Sequence, residues 1–347
     1  GIWKSTDGGA TWTQLSATDN SKFYYVNDID VDNNGHVFAT TRNGGVQRST
    51  DGGFTWSAVL GDGYHFEDVE ISGEGDIWVT YSGGQVFSSN GQNGVNTGQS
   101  GTWVEIIPYG NYARIELAIN PNNAWELIAL CQGNSSNNVT AILTTNDKGT
   151  TWTNRTVPTI SDQGDNSVFT RNQAWYDLIA TYDPTTGNVF IGGIDALRSA
   201  DNGATWTQIS IWSLFDTNYG FNYTQYVHAD HHEIIFLPNH SNAAVIGTDG
   251  GIFYSANINA NQPVFESKNS GYNVTQFYAT AVHPTSATNY FLAGAQDNGT
   301  QKFEQAGVNQ TSQASGGDGA FCHIDEDNPS IQISSYVYNN YYVSTDG

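Results

Sequence analysis

The sequence predicts an all-β fold built from repeated sheets, and three observations lead to this prediction. A phrase of the form Ser-x-Asp-x-Gly-x-Thr-Trp recurs along the 347 residues. Charged residues make up 13% of the chain, about half the usual share, while aromatic residues also reach 13%. Short runs of alternating apolar and polar residues lie between the recurrent phrases, as expected for half-buried strands. A pattern that returns every few dozen residues indicates a repeat architecture.

The recurrent phrase predicts a tight turn between two antiparallel strands. Its Ser or Thr and its Asp can hydrogen bond to nearby backbone, and Gly supplies the left-handed backbone that such a turn needs. The Thr-Trp pair then enters the next strand and offers a large apolar surface. The residues assigned to this structural role are Ser5, Asp7, Trp12, Ser49, Asp51, Trp56, Asp147, Trp152, Ser199, Asp201 and Trp206. Because turn closure accounts for every residue of the phrase, we assign these aspartates no catalytic or metal-binding role. Weaker copies begin at Ser88 and Ser255, and a truncated copy begins at Ser344.

Each repeat carries four short predicted strands, which is typical of a β-propeller blade. In the second unit these strands cover residues 25–31, 36–41, 46–49 and 56–59. The first strands of later units fall at 66–71, 114–119, 178–182, 228–236, 277–282 and 320–324. Six units with a partial unit at each end predict about seven to eight four-stranded antiparallel blades. We therefore expect residues 1–347 to form a single β-propeller domain that is a fragment of a larger protein with flanking domains.

The charge balance restricts the partners. The formal net charge is −23, from 34 acidic and 11 basic residues. Nucleic acids and anionic membranes both demand basic patches, so neither is expected as a partner. No apolar run is long enough to insert into a membrane. Solubility in an extracellular medium explains so much acid, with cation binding as the alternative. Cys131 and Cys322 do not make a disulfide framework; two buried free thiols are favoured over a pair.

The recurrent phrases resemble the Asp-box, or BNR-repeat, propellers of the sialidase, sortilin-like and xyloglucanase-type families. A second set of phrases, at 228–232, 247–251, 294–299 and 316–320, resembles the sortilin-like branch found in large secreted bacterial surface proteins. This resemblance implies secretion and an extended propeller, but no single activity. Sialidases use three arginines, one of them in an Arg-Ile-Pro phrase, and none of the six arginines here precedes Ile-Pro. Sialidase activity is therefore not expected.

The blade face opposite the recurrent turns is the predicted ligand face. The turn between the second and third strands of a blade and the connection to the next blade share this end. A long connection rich in aromatic residues reaches the same face, where binding loops usually lie. The expected ligand contacts are Asp195, Trp212, Tyr219, Tyr223, Tyr226, His228, Asp230, Asp249, Asp297, Asn298 and Asp318. The alternative for each aromatic ring is that it packs its loop onto the blades.

Two metal sites are conceivable from the sequence, although no cofactor is certain. His228, Asp230 and His232 alternate on one face of a predicted inner strand, where two histidines could chelate a transition metal. Hydrogen bonding along the channel lining without a metal is the favoured interpretation. Calcium would suit the oxygen ligands of Asp249, Asp297 and Asp318.

The leading functional hypothesis is a noncatalytic binding or adhesion module, secreted or at the cell surface, that recognises glycan or protein through an acidic, aromatic face. One alternative is an endo-acting glycoside hydrolase that resembles the xyloglucanase type, with Asp249 and Asp297 as the catalytic pair and Asp318 as a substitute. The other alternative is a structural spacer in a surface fibre.

Overall fold

The fold is an all-β propeller of mostly four-stranded antiparallel sheets, as the sequence predicts. The computed structural model describes residues 1–90, 97–271, 274–285, 288–307 and 311–347. Within these ranges the strands form six four-stranded sheets, one three-stranded sheet and two strand pairs. In every four-stranded sheet the spatial order of the strands follows the chain, which is the meander of a propeller blade.

The chain divides into two compact units. Unit 1 comprises Gly1–Thr248 and Tyr254–Glu266, and unit 2 comprises Asp249–Phe253 and Ser267–Gly347. The described part of the chain contains no helix that is both long and apolar enough to cross a membrane. Cys131 and Cys322 are free thiols; Cys131 is buried and Cys322 is partly buried.

Unit 1 contains four complete blades, and its strands match the predicted ones to within a few residues. Blade 1 has strands Val26–Val31, Val37–Thr41, Gly45–Ser49 and Ser57–Leu60. Blade 2 has Phe66–Ile71, Ile77–Tyr81, Gln85–Ser89 and Val104–Ile107. Blade 3 has Tyr112–Ile119, Leu127–Gly133, Val139–Thr145 and Thr153–Arg155. Blade 4 has Ile179–Tyr182, Val189–Gly192, Ala196–Ser199 and Thr207–Gln208.

Further strands precede, interrupt and follow these blades. Trp3–Lys4 pairs with Thr13–Gln14, and the segment after blade 3 forms a hairpin of Thr159–Asp162 and Asp165–Val168 that the sequence did not reveal. The division between the units passes through blade 5, which has strands His231–Phe236, Ala244–Thr248, Gly251–Ser255 and Glu266–Ser267. Unit 2 holds blade 6, with Ala279–Val282, Phe291–Ala295, Gly299–Phe303 and Thr311–Ser315, and a three-stranded sheet of Cys322–Ile324, Gln332–Ser335 and Tyr341–Ser344.

Apolar layers between consecutive blades hold unit 1 together. Phe38 and Val46 of blade 1 pack with Val69 and Val79 of blade 2 in one buried cluster. The next layer combines Trp78 with Leu117 and Leu127, among other side chains. Because both faces of an inner blade are covered in this way, the second strands read as nearly continuous apolar runs rather than as alternating ones.

The recurrent turns are closed by hydrogen bonds, as the phrase predicts. In the turn from Ser49 to Trp56, the Ser49 hydroxyl donates to Asp51 Oδ1 at 2.8 Å. The backbone N–H and the hydroxyl of Thr55 donate to Oδ1 and Oδ2 of Asp51 at 2.8 and 2.6 Å. Gly53, at φ 96°, donates to Ser49 Oγ at 2.8 Å and accepts from Trp56 Nε1 at 3.0 Å. The same Asp–Thr bonds recur at Asp7, Asp147 and Asp201. We refer to these four as the aspartate turns.

The first weak copy of the phrase begins at Ser89 rather than at Ser88. Ser89 Oγ accepts from the backbone N–H of Gly98 at 2.8 Å, which is the bond that Ser49 makes with Gly53. Its hydroxyl also lies 2.7 Å from the Thr102 hydroxyl. Strand pairing explains the one-residue correction, because Ser89 is the last residue of the third strand of blade 2, as Ser49 is in blade 1.

Candidate functional site

A cavity of about 460 Å³ lies in unit 1 against the first strands of its blades. Its lining is dominated by acidic side chains that come from the first strands of blades 1, 2, 3 and 5. We call the following seven the cavity carboxylates: Asp28, Asp30, Glu67, Asp68, Glu70, Glu116 and Glu233. Sequence analysis missed all seven, although Asp28, Asp68 and Glu116 each stand three residues before the end of a first strand.

Backbone N–H groups of the neighbouring blade hold three of the cavity carboxylates in place. Asp28 Oδ2 accepts from Val69 N at 3.0 Å, and Asp30 Oδ2 accepts from Ile71 N at 3.0 Å. Asp68 Oδ2 accepts from Leu117 N at 2.8 Å. These bonds join the first strand of one blade to the first strand of the next. The carboxylates are therefore fixed on rigid strands.

Burial and repulsion between neighbouring carboxylates raise the pKa values of four of the cavity carboxylates: Asp30, Asp68, Glu70 and Glu116. Burial, and then the charges of Asp28 and Glu233, raise the pKa of Glu116 to about 7 although Arg114 opposes the change. Burial raises the pKa of Asp30 to about 6. The pKa values of Asp68 and Glu70 also lie well above the ordinary range, first because of burial and then because of neighbouring carboxylates. The cavity thus holds both protons and negative charge near neutral pH.

Arg114 is the one arginine or lysine among the described residues that line the cavity. Its Nη2 lies 3.1 Å from Glu116 Oε2, and its Nη1 donates weakly to the backbone oxygens of Ala174 and Tyr176 at 3.4 and 3.3 Å. Tyr176 also lines the cavity, with its ring centroid 5.0 Å from that of His232. One basic side chain against seven acidic ones leaves the cavity strongly acidic.

The predicted alternation of His228, Asp230 and His232 on one strand is wrong. The strand begins at His231, and Asp230 has a left-handed backbone at φ 63°, so these side chains do not share a strand face. His228 Nδ1 instead lies 3.1 Å from the carbonyl oxygen of Ala229. His232 is exposed and lines the acidic cavity.

His231 is the buried histidine of this segment, and sequence analysis did not single it out. It is completely buried, and neither ring nitrogen has a hydrogen-bond partner among the described residues. Burial lowers the pKa of His231 to about 3, so the ring stays neutral. The His231 side chain, with 0% exposure, therefore packs in the protein interior.

Asp195 does not fit the expected exposed ligand contact, because it is completely buried. Its Oδ1 accepts from the Ser210 hydroxyl at 3.0 Å and its Oδ2 from Gln208 Nε2 at 3.1 Å. Burial raises the pKa of Asp195 well above the usual range. The side chain anchors the start of the aromatic connection instead of facing solvent.

The aromatic connection presents some rings to solvent and buries others in part. Tyr219 and Tyr223 are exposed, as a ligand face requires. Trp212 is half-buried: its Nε1 donates to Asp162 Oδ1 at 3.1 Å, and the Arg171 guanidinium lies 5.4 Å from its ring centroid. Tyr226 is also partly buried, and this burial raises its pKa. Loop packing, the alternative for each ring, therefore describes Trp212 and Tyr226 best.

A second acidic group lies in unit 2, where the structure brings together Asp249, Asp297 and Asp318. The backbone N–H of Asp297 donates to Asp318 Oδ1 at 3.1 Å, and Asn298 Nδ2 donates to the Asp249 carbonyl oxygen at 3.2 Å. Burial, and then hydrogen bonds with Asp249 and Asp318, raise the pKa of Asp297 to about 7. Carboxyl groups in hydrogen-bonding contact are closer than the roughly 5 Å or more that separates the acid and base of a glycosidase.

A third pair of carboxyl groups, in unit 1, consists of Asp177 and Asp230. Asp177 is completely buried, and Asp230 is 8% exposed. Burial, and then the charge of Asp230, raise the pKa of Asp177 to about 9. Gln173 Nε2 donates to Asp230 Oδ1 at 3.1 Å. The sequence pointed to Asp230 but not to Asp177, which lies two residues before the first strand of blade 4.

Comparison with solved structures shows the fold. The chain is similar to PorZ, an essential surface component of the type-IX secretion system of Porphyromonas gingivalis, with a TM-score of 0.53, 13% identity, and coverage of 97% of this chain and 41% of PorZ. YCF48 from Cyanidioschyzon merolae matches with a TM-score of 0.48 and 16% identity over 93% of both chains. A GH74 enzyme from Niastella koreensis matches with a TM-score of 0.47 and 19% identity over 100% of this chain and 52% of the enzyme.

The matched proteins differ from this chain in sequence, and two of them are much longer. The chain spans less than half of PorZ and about half of the GH74 enzyme. At 13% identity the likeness to PorZ shows the propeller fold alone. No family model matches the chain, and no curated protein matches it by sequence.

Proposed function

We propose that this protein is a noncatalytic binding module, secreted or displayed at the cell surface, whose unit 1 cavity takes basic side chains of a protein ligand. The observation that carries the proposal is the cavity of about 460 Å³, lined by seven carboxylates and one arginine. Small-ligand and side-chain sites are concave and largely preformed, and this cavity stands on strands that are fixed by interblade hydrogen bonds.

Charge complementarity supports a cationic ligand. Two like charges about 4 Å apart repel by roughly 4 kcal/mol at the effective dielectric constant of a protein surface, and a cation relieves this repulsion. Arg114 shows how the cavity holds a guanidinium, with one nitrogen on Glu116 and another facing backbone oxygens. An arginine or lysine of a ligand would make the same kind of contact with the remaining carboxylates.

The lining favours a protein ligand over a glycan or a single metal ion. Tyr176 and His232 are the aromatic rings among the described lining residues, and tryptophan, a frequent stacking platform, is not among them. Within the described residues, no three of the cavity carboxylates bring ligand oxygens within 4.8 Å of one another, which a compact calcium site would require. A larger, elongated cation fits the spread of charges better.

The family assignment belongs to this proposal as well. The closed aspartate turns support membership of the Asp-box, or BNR-repeat, propellers, and the second set of phrases supports their sortilin-like branch. The acidic composition supports an extracellular location. Binding to protein or glycan through the exposed Tyr219 and Tyr223 would add a second contact surface in the same unit.

Binding of a labelled arginine-rich peptide, measured by fluorescence anisotropy at low and high salt, tests the proposal. We expect Glu70→Gln to weaken binding by about tenfold, because the variant keeps the shape of the side chain but cannot take on the negative charge that a bound guanidinium would stabilise. Asp165→Asn is the matched control: it removes an exposed acidic charge of the hairpin outside the cavity, and we expect no loss. Equal affinity of Glu70→Gln and wild type would reject the proposal.

A parallel screen against glycans and soluble polysaccharides separates the alternatives. Glycan binding without peptide binding would favour the carbohydrate-binding alternative. Hydrolysis that is lost in Asp249→Asn would favour a glycoside hydrolase, for which the contact between Asp297 and its neighbours is unsuited. If the protein binds none of the tested peptides, glycans and polysaccharides, the structural-spacer alternative is favoured.

A further inference from the structure

The Asp177–Asp230 pair lies where two loops of unit 1 enter the first strands of blades 4 and 5. The backbone N–H of Asp177 donates to the carbonyl oxygen of Gln173 at 3.1 Å. This bond closes a turn of the backbone at Asp177. On the other loop, the backbone N–H of His231 donates to Gly193 O at 2.9 Å. Backbone hydrogen bonds therefore fix the chain at Asp177 and at the residue that follows Asp230.

Asp177 is completely buried, and neither of its oxygens accepts a hydrogen bond from any donor in the described part of the chain. Its nearest acidic neighbour is Asp230, whose carboxyl group lies within hydrogen-bonding reach. Arg114 attracts Asp177 electrostatically, but its guanidinium donates to Glu116 and to the backbone oxygens of Ala174 and Tyr176. A buried carboxylate without a donor is costly unless a proton or a cation compensates it.

We propose that Asp177 and Asp230 form a binding site for a hard cation of the calcium class. Both carboxyl groups converge from separate loops, and the Gln173 side chain touches Asp230 at 3.1 Å. The oxygen and nitrogen of an amide are exchangeable by rotation, so Gln173 can offer its oxygen as a third ligand. Carboxylate and amide oxygens are the ligands that calcium prefers, and waters complete its coordination.

The neighbouring histidines make other contacts and are not ligands of this site. His228 Nδ1 lies on the Ala229 carbonyl oxygen, and the His232 ring packs edge-on against Tyr176. Oxygen ligands without imidazole select hard cations over zinc or copper. A cation bound here would link the loop before blade 4 to the loop before blade 5. It would therefore stabilise the packing of blade 4 against blade 5.

Luminescence of Tb³⁺, a calcium substitute, tests the site because Trp175 and Tyr176 directly precede Asp177 and can sensitise a bound lanthanide. We expect sensitised emission from the wild type that calcium competes away. Asp177→Asn and Asp230→Asn should each weaken Tb³⁺ binding by about tenfold or more. Gln173→Glu adds a third carboxylate and should tighten binding; it keeps the test decisive if Asp177→Asn does not fold.

The controls separate this site from the rest of an acidic protein. Asp195→Asn changes an equally buried aspartate that Ser210 and Gln208 already satisfy, and Asp68→Asn changes a cavity carboxylate. Both should keep the sensitised emission of the wild type. If Asp230→Asn and Gln173→Glu bind Tb³⁺ with the affinity of the wild type, or if Asp68→Asn abolishes the emission, the proposal is overturned and the pair holds a shared proton instead.

Discussion

The aspartate turns and the acidic cavity use the same functional group in opposite ways. In the turns, the hydroxyl and backbone N–H of a threonine surround each carboxylate and lower the pKa values of Asp7 and Asp51 to about 2. In the cavity, burial and neighbouring carboxylates raise the pKa of Glu116 to about 7. A carboxylate surrounded by hydrogen-bond donors has a structural role, whereas one surrounded by other carboxylates is available to bind a cation. The difference teaches that environment, not residue type, separates scaffold from site.

The pH dependence of stability should show the two regions with opposite sign. A raised carboxyl pKa stabilises the fold below the unfolded value and loses this contribution as pH rises through the folded value. Glu116 and Asp30, raised to about 7 and about 6, should therefore make the protein less stable as pH rises from about 4 to about 7. The hydrogen-bonded aspartates of the turns stabilise the fold at pH values above the ordinary aspartate pKa. This stabilisation is lost only as the pH falls towards about 2.

Glu116→Gln should flatten the fall in stability above pH 4 by on the order of 1–3 kcal/mol, because a pKa shift of one unit corresponds to about 1.4 kcal/mol. Chemical denaturation at pH 5 and pH 8 measures the effect. Asp165→Asn, an exposed acid outside the cavity, is the control and should retain the slope of the wild type. A parallel slope in Glu116→Gln would show that the cavity carboxylates do not titrate as described.

The aspartate turns can be broken through their glycines. Gly53 has φ 96°, and a Cβ there would overlap the end of the Leu15 side chain, which would have to shift. We expect Gly53→Ala to cost about 1–2 kcal/mol, mainly from the left-handed backbone. Gly73→Ala is the control, because its Cβ would meet nothing within 4 Å and its φ is not positive. Thermal unfolding that is equal for both variants would contradict the role of the turn.

The smallest expected change is at His231. Its ring is neutral and without a hydrogen-bond partner among the described residues, so His231→Leu should change stability near pH 7 by less than about 1 kcal/mol. A histidine whose pKa is lowered stabilises the fold above its unfolded value and loses this as pH falls from about 6.5 to about 3. The variant should therefore resist acid better than the wild type in denaturation at pH 4. Greater acid sensitivity would mean that the ring has a charged role.

The sequence predicted the blades well because turn chemistry and strand alternation are local. The predicted strands at 25–31 and 36–41 lie within one residue of Val26–Val31 and Val37–Thr41. It failed at residues 228–232, because a left-handed Asp230 delays the strand without any glycine to signal it. A two-residue alternation alone cannot reveal such a break.

The candidate site was predicted in part. The approach of Asp249, Asp297 and Asp318 followed from equivalent turns of successive repeats. The acidic cavity was missed because Asp28, Asp68 and Glu116 resemble solvent-facing positions of half-buried strands when each strand is read alone. Their shared distance from the strand end was the available signal. The burial of Asp195 depended on Ser210 and Gln208, whose contacts no sequence pattern announces.

Proton release on binding tests the central claim most directly. Titration calorimetry with tri-arginine at pH 7, in buffers of different ionisation enthalpy, measures how many protons leave the complex. A guanidinium in the cavity lowers the raised pKa values of Glu116 and Asp30, so we predict net proton release in the wild type and a smaller release in Glu116→Gln. Binding heats that are independent of the buffer would contradict the account, because the ligand would then sit elsewhere.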